Sequence, residues 1–303
     1  MAETRRGFLF GVAAYAMWGL FPLYWPLLEP AGAVEILAHR VFWSLVVMVA
    51  LILVLRRRAA LRAVLADRRT RGILTIAAVL ISVNWGTYIW GVNNEHVVET
   101  SLGYFINPLV TVLMGVVILG ERLRTLQWVA MGLAGVAVIG LTIEYGRPPW
   151  IALVLAFSFG SYGLAKKKAN TGSVESLTVE TLLITPVAMG YIAWLMLQGT
   201  SNFGHAGSGH VALTIGTGIV TAIPLICFGA AATRVSMTAI GLMQYLTPTI
   251  QFLLGVLFFG EPMPALRWVG FILIWIALAI FTFELVSHRR RQQLALTAEA
   301  TAL

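Results

Sequence analysis

Apolar residues run along this chain in long, nearly unbroken blocks, and short polar stretches separate the blocks. Each block is close to the ~20 residues that an α-helix needs to cross roughly 30 Å of hydrocarbon. The pattern therefore predicts an all-α, polytopic membrane protein with ten transmembrane helices. The blocks cover residues 8–28, 34–55, 73–92, 101–119, 125–143, 150–165, 177–197, 211–232, 238–259 and 265–286.

One stretch of the pattern occurs twice, first at 102–128 and again 140 residues later at 242–268. The matches without a gap include Pro108/Pro248, Gly120/Gly260, Glu121/Glu261 and Trp128/Trp268. Apolar stretches match one another by chance, but a proline, a Gly-Glu pair and a tryptophan in one register indicate an internal duplication. We predict a first five-helix repeat at 7–146, a second at 147–286 and a cytoplasmic tail at 287–303.

Composition excludes an ordinary soluble domain, because 59% of the residues are hydrophobic, 11% are charged and the mean hydropathy is +0.85. The net charge of +8 does not indicate a nucleic-acid partner, because on an N-terminus-inside topology only Arg40, Arg147 and Arg267 of the 21 lysines and arginines fall outside. This bias predicts a cell-membrane protein with both termini in the cytoplasm. The arginine-rich loop at 56–71 is expected to set the orientation of the chain and to contact anionic lipid or, alternatively, to bind phosphate.

The two repeats are predicted to be inverted, because an odd number of helices brings the second repeat into the membrane from the opposite side. Cation counting supports this without using the repeat, since it places the turn at Glu121 inside and its copy at Glu261 outside. Inverted repeats of helices are characteristic of secondary transporters, in which two pseudo-symmetric halves exchange conformations.

Charged residues near the ends of two blocks are candidate gates. Glu35 and His39 are four residues apart and share one helix face, and Arg40 aligns with Glu180 across the repeat. One interpretation is that these side chains anchor the helices at the interface. The other is that Glu35 and His39 form an outer gate, with Arg40 at the outer mouth and Glu180 at the inner one.

Polar residues form matching stripes on the fourth and ninth predicted helices. Tyr104, Asn107 and Thr111 are three and four residues apart, and their repeat partners are Gln244, Thr247 and Gln251. Because unsatisfied polar groups are costly in hydrocarbon, both stripes should face inward. We predict a substrate cavity there, with Asn84, Trp85, Tyr88 and Tyr245 as further walls. The alternative is a seam of hydrogen bonds between helices.

An enzyme is the rival class, but the sequence places no nucleophile, acid–base pair or metal cluster at membrane depth. There is no phosphate-binding G-x-x-x-x-G-K-[ST] string, and Cys227 is the single cysteine. We therefore expect no catalytic residue, no metal and no cofactor. A membrane-embedded sensory or scaffold protein without transport activity is the alternative to a transporter.

Several strings together resemble the RarD branch of EamA-type permeases, in the drug/metabolite transporter superfamily. They are E-I-L-A-H-R at 35–40, N-W-G-T-Y-I-W-G-V-N-N at 84–94, S-L-G-Y-F-I-N-P-L at 101–109, L-G-E-R at 119–122, A-F-S-F-G-S-Y-G-L-A-K-K-K at 156–168, A-A-A-T-R at 230–234 and Q-Y-L-T-P-T at 244–249. The resemblance implies a secondary transporter that exports small amphipathic metabolites or drugs by alternating access around a central cavity. The identity of this small-molecule substrate, the coupling ion and a homodimeric assembly stay open.

Overall fold

A computed structural model describes residues 2–93, 97–145 and 150–257, with short helical pieces at 268–269, 272–273, 275–277, 279–280, 283–284 and 287. Every regular element in these ranges is a helix, so the all-α class is confirmed. The helices are α1 (Ala2–Gly19), α2 (Ala33–Val54), α3 (Arg58–Ala66), α4 (Arg68–Asn93), α5 (Val97–Leu119), α6 (Thr125–Tyr145), α7 (Trp150–Ala169), α8 (Ser173–Leu197), α9 (Gly207–Ala232), α10 (Met237–Met243) and α11 (Leu246–Leu257). Two 3-10 turns, Phe21–Leu23 and Trp25–Leu28, follow α1.

The second to eighth predicted blocks each match one long helix, α2 or one of α4 to α9, whereas the first block, 8–28, is α1 only as far as Gly19 and then continues as the two 3-10 turns. Five of these helices, α1, α2, α4, α8 and α9, are long and apolar enough to cross a membrane. The short helix α3 lies in the arginine-rich loop and was not predicted. Most of the tenth block, the turn at Glu261 and nearly all of the tail at 287–303 lie outside the described residues.

The helix α4 begins where a carboxylate caps its free N–H groups. The side chain of Asp67 accepts hydrogen bonds from the backbone N–H groups of Arg69 and Thr70, at 3.2 and 3.1 Å. The hydrogen bonds from Thr70 hold the pKa of this carboxyl below its ordinary value. A cap of this kind fixes the point at which the chain enters the third apolar block.

The ninth block is two helices instead of one. Proline lacks an N–H, so Pro248 leaves the carbonyl of Gln244 without its usual helical partner. The backbone responds with tighter bonds, because Tyr245 donates to the carbonyl of Leu242 and Thr247 donates to that of Gln244. The helix therefore breaks at residues 244–245, whereas α5, α8 and α9 continue through their internal prolines.

Helices α2 and α8 lie side by side and run in opposite directions. At the start of α2, Glu35 accepts hydrogen bonds from Ser201 and Asn202, which follow the end of α8. At the start of α8, Glu175 forms an ion pair with Arg57, which follows the end of α2, at 3.1 Å. Each helix is therefore tied at its first turn to the loop that ends the other.

Two glycines allow neighbouring backbones to come unusually close. A Cβ atom at Gly218 on α9 would lie 2.5 Å from the carbonyl oxygen of Trp43 on α2. A Cβ atom at Gly241 on α10 would lie 2.8 Å from the carbonyl oxygen of Pro108 on α5. Close approach at small residues is typical of helix packing in membranes, where van der Waals contact supplies much of the attraction.

The outer surface carries many exposed apolar side chains, among them Val54, Val117, Val187 and Leu197. A soluble monomer rarely exposes apolar surface on this scale. In a bilayer the same side chains are covered by lipid, whereas polar groups such as Thr217 and Glu180 are buried among the helices. The exposed surface and the long apolar helices together define a polytopic membrane protein.

Candidate functional site

A cavity of about 180 Å³ lies inside the helix bundle. Its walls come from α1 and the two 3-10 turns, from α2, α4, α5, α7, α9 and α11, and from the break between α10 and α11. The lining residues are Tyr15, Trp18, Phe21, Pro22, Trp25, Arg40, Ile81, Asn84, Trp85, Tyr88, Gly103, Tyr104, Asn107, Leu155, Phe159, Leu225, Gln244, Thr247 and Gln251. Most of this wall is aromatic or aliphatic, with a few amide and hydroxyl groups, which is the usual make-up of a small-molecule site.

Eight of the ten residues predicted for the substrate site line this cavity. They are Asn84, Trp85, Tyr88, Tyr104, Asn107, Gln244, Thr247 and Gln251. The structure places the other two elsewhere. Thr111 lies behind the wall and its hydroxyl donates to Oε1 of Gln244 at 3.2 Å. Tyr245 packs with Ala130, Ala134 and Ala137 of α6, because the residue next to Gln244 leaves the backbone in a different direction.

Several polar residues of the wall also form hydrogen bonds between helices, as expected for the alternative of an interhelical seam. The amide nitrogen of Asn84 donates to the carbonyl of Leu155 at 2.9 Å, which links α4 to α7. The hydroxyl of Thr247 donates to the carbonyl of Tyr15 at 2.8 Å, which links α11 to α1. In contrast, Oδ1 of Asn107 is buried without a hydrogen-bond partner among the described residues. Asn107 therefore offers a buried acceptor that no described residue occupies.

Arg40 lies in the cavity wall, although the sequence suggested a gate at the outer mouth. Its Nε donates to Oγ1 of Thr221 at 3.0 Å. Its guanidinium carbon lies 4.6 Å from the ring centre of Trp25, 5.3 Å from that of Trp85 and 5.9 Å from that of Phe21. Among the described residues of this wall, Arg40 is the charged one, and the aromatic rings hold its side chain in position.

The other two residues of the predicted outer gate, Glu35 and His39, lie away from the cavity. Glu35 is engaged by the loop after α8, whose Asn202 donates both its backbone N–H and its side-chain amide, at 2.8 and 2.9 Å. His39 stacks on Phe203 of the same loop, with ring centres 4.8 Å apart. Both residues therefore contact the segment that follows α8.

Glu180, the predicted inner gate, belongs to a buried polar cluster. Its carboxylate accepts hydrogen bonds from Lys166 at 2.7 Å, from Tyr162 at 2.9 Å and from Ser176 at 2.8 Å. The cation count places Lys166 among the cytoplasmic residues, and its side chain is buried within the protein, where it is 2% exposed. The reason is that α7 continues to Ala169, past the end of the apolar block, and carries Lys166 inward.

Glu121, the carboxylate of the repeated Gly-Glu pair, has a role that was not predicted from the sequence. Glu121 follows Gly120, whose positive φ of 66° suits a residue without a Cβ atom. Its oxygens accept hydrogen bonds from the N–H groups of Met237 and Thr238 at 2.7 and 3.0 Å, and from the Thr238 hydroxyl at 2.6 Å. Glu121, in the first predicted repeat, therefore caps α10, in the second predicted repeat. The recurrence of the Gly-Glu pair at 120–121 and 260–261 was the feature of the sequence that could have indicated this role.

The described ranges contain no cluster of three or more histidine, cysteine, aspartate or glutamate side chains that could hold a metal ion. In the same ranges, the carboxylates discussed above bind helix ends, loops and Lys166. The cavity wall itself offers aromatic rings, amides, hydroxyls and one guanidinium. Such a wall can bind and release a small molecule.

Fold and cavity together define the class: this is a helical membrane protein with an internal cavity lined by aromatic and polar side chains. The chain belongs to the EamA-like transporter family, which matches residues 5–143 and again residues 148–283. It is similar to "Protein RarD" of Streptomyces exfoliatus, with 57% identity over 298 residues, 98% of this chain and 95% of the relative. The resemblance to the RarD branch is therefore confirmed.

Other comparisons agree with this family. An uncharacterized transporter, YojE of Bacillus subtilis (strain 168), is 43% identical over 293 residues, which are 95% of this chain and 97% of the relative. A solved structure, titled only as the crystal structure of a protein, superposes with a TM-score of 0.69 at 19% identity and covers 90% of this chain and 96% of its own. The relatives support a transporter role, and the structural match supports the fold alone.

Proposed function

We propose that this protein is a secondary transporter that exports small amphipathic metabolites or drugs by alternating access. The observation that carries the proposal is the cavity, in which eight polar and aromatic residues from both predicted repeats meet. Its volume of about 180 Å³ is below the roughly 300–1,000 Å³ typical of drug-sized ligands. This favours a substrate of metabolite size.

We further propose ten transmembrane helices in two inverted repeats, at 7–146 and 147–286. The two family matches at 5–143 and 148–283 support this division. So do the reciprocal ties of Glu35 and Glu175, which stand at equivalent positions of the repeats and each hold the loop that follows the opposite helix. A pseudo-twofold axis in the membrane plane would give such a pattern, and carrier sites lie near such an axis.

In this arrangement the break at residues 244–245 has a mechanical use. Irregular backbone at membrane depth is tolerated where it lines a cavity, and here the break carries Gln244 into the wall. The cap made by Glu121 joins the end of α5 to the start of α10 on one side of the cavity. Alternating access requires contacts of this kind to separate when the cavity opens towards that side.

We place the protein in the cell membrane, with both termini and the tail at 287–303 in the cytoplasm. The support is the distribution of lysine and arginine, which favours the cytoplasmic side. The partners expected are a small-molecule substrate and the lipid bilayer, without nucleic acid, and a homodimer is compatible with the proposal. A sensory or scaffold protein is the alternative, and it would show no solute flux.

Replacing Asn107 or Gln244 with alanine is expected to weaken substrate binding and to change thermal stability little. Each change removes one polar group from the cavity wall, worth about 0.5–1.5 kcal/mol or roughly two- to tenfold in affinity. The measurement is the KM for uptake into proteoliposomes, beside the melting temperature of each purified variant. Asn107→Ala is the cleaner of the two, since Gln244 also accepts a hydrogen bond from Thr111.

Gln198→Ala is the matched control, because Gln198 is an exposed residue just after α8 and far along the chain from the break. It should leave both the KM and the melting temperature unchanged. A large loss of stability with an unchanged KM for the cavity variants would show that these amides only join helices. That outcome would remove the site.

A further inference from the structure

We propose that the cavity binds an organic monoanion, a carboxylate attached to a small apolar body, and that Arg40 is the group that receives the carboxylate. This inference rests on the proposed function, because it names the substrate class of the same cavity. Arg40 lies in the cavity wall, and most of its N–H donors have no acceptor among the described residues. The cavity should therefore select its ligands by charge, which can be measured.

The hydrogen-bonding groups of Arg40 are mostly free. A guanidinium carries five N–H donors in a fixed plane. In the described part of the chain only Nε has a hydrogen-bond acceptor, the hydroxyl of Thr221 at 3.0 Å. The two terminal nitrogens, with four N–H donors, have no acceptor among those residues. Their parallel edge matches the two oxygens of a carboxylate.

No carboxylate compensates this positive charge within the described residues. The nineteen lining residues that the structure describes include no aspartate or glutamate, and Arg40 is the only charged residue among them. The carboxylates of α2 and α8 are engaged elsewhere, since Glu35 binds the loop at 201–202, Glu175 pairs with Arg57 and Glu180 binds Lys166. An uncompensated charge at membrane depth is costly and is typically kept for binding. An anionic substrate would supply the missing countercharge.

Aromatic rings fix the guanidinium and complete the site. The rings of Trp25 and Trp85 lie within about 6 Å of the charge, the range in which a cation is attracted to a ring face. This attraction holds Arg40 in the wall, and its terminal N–H donors, which have no acceptor among the described residues, stay available. Trp18 and Phe159 add apolar wall for the body of the substrate. A single guanidinium balances one negative charge, so a monoanion fits better than a dianion.

The test compares small acids with their primary amides, which have nearly the same size and shape. The probes are phenylacetate against phenylacetamide, benzoate against benzamide and 3-methylbutanoate against 3-methylbutanamide. Binding to the purified full chain in detergent is followed by thermal stabilisation and by tryptophan fluorescence. We expect the acids to bind at least about tenfold more tightly than the amides, because only the acids form a charge-assisted bidentate pair.

Substitutions locate the selectivity. Arg40→Gln should abolish the preference for acids, Arg40→Lys should keep part of it, and Arg62→Gln, at an exposed arginine of α3, should leave it intact. The inference is overturned if amides bind as well as acids, if Arg40→Gln keeps the wild-type preference, or if no acid in the panel binds. Should Arg40→Gln fail to fold, the acid–amide comparison on the wild type and Arg40→Lys decides.

Uptake of the same probes into proteoliposomes separates this inference from the proposed function. Binding of acids without any flux would contradict transport and would leave the anion site standing. Flux of the amides alone would support transport and contradict the anion site. Flux of acids, lost in Arg40→Gln and kept in Arg62→Gln, would support both.

Discussion

Replacing Glu180 with glutamine should destabilise this protein by about 3–5 kcal/mol, because it leaves a buried lysine without its countercharge. Both side chains of the Lys166–Glu180 pair are 2% exposed and their charged atoms are 2.7 Å apart. Glutamine keeps the shape of the side chain and one carbonyl oxygen, whereas Tyr162 and Ser176 donate to different oxygens of Glu180. The expected loss therefore reports the charge and one hydrogen bond, and not the packing.

The measurement is thermal unfolding of the purified variants in detergent, followed by tryptophan fluorescence. The double variant Lys166→Met/Glu180→Gln should recover much of the loss, since it removes the stranded charge as well. Glu29→Gln is the matched control, because Glu29 is exposed, and it should melt with the wild type. A Glu180→Gln protein as stable as the wild type would show that the ion pair contributes little.

Replacing Glu121 with alanine should cost about 2–3 kcal/mol, since it strands three donors at the start of α10. Two are backbone N–H groups, of Met237 and Thr238, and the third is the Thr238 hydroxyl. The carboxylate also lies at a helix N-terminus, where negative charge is favourable. Hydrogen bonds to a charged acceptor are worth more than neutral ones, so this cap should outweigh an ordinary one.

The variant Glu121→Gln separates the two contributions. It retains a carbonyl acceptor and loses the charge, so its melting temperature should fall between those of the wild type and Glu121→Ala. Hydrogen exchange should show faster exchange at the first turn of α10 in Glu121→Ala, with α9 little changed. Equal melting temperatures for all three proteins would contradict a role for Glu121 in holding α10.

Much of the fold follows from the apolar blocks, because a helix in lipid satisfies its backbone within itself and needs a fixed length. The end of a helix is harder to predict when a long cation can reach back into the protein. Lys166 is the example: the sequence shows a cation after an apolar block, and the buried partner that draws it inward lies on the next helix. The break at residues 244–245 is also hard to predict from the sequence. Pro108 has the same sequence setting as Pro248 and yet lies within a continuous helix.

The polar half of the cavity wall could be predicted because spacing places Tyr104 with Asn107 and Gln244 with Gln251 on common faces. The aromatic half of the wall could not be predicted in this way. Trp18 and Phe159 stand in apolar blocks, where an aromatic residue that lines a cavity has the same pattern as one that faces lipid. The position of Arg40 depends on its neighbours on α4 and α9, which a single helix does not reveal.

The most direct test of the transport cavity is solute flux through a protein whose cavity has been filled. Gln251→Trp places a large side chain in the wall, and Val187→Trp places the same side chain on the exposed face of α8. Proteoliposomes are loaded with the acid and amide panel. We expect saturable exchange of labelled solute by the wild type and by Val187→Trp, and loss of that exchange in Gln251→Trp. Equal exchange by the two tryptophan variants, or wild-type flux no faster than in protein-free vesicles, would contradict it.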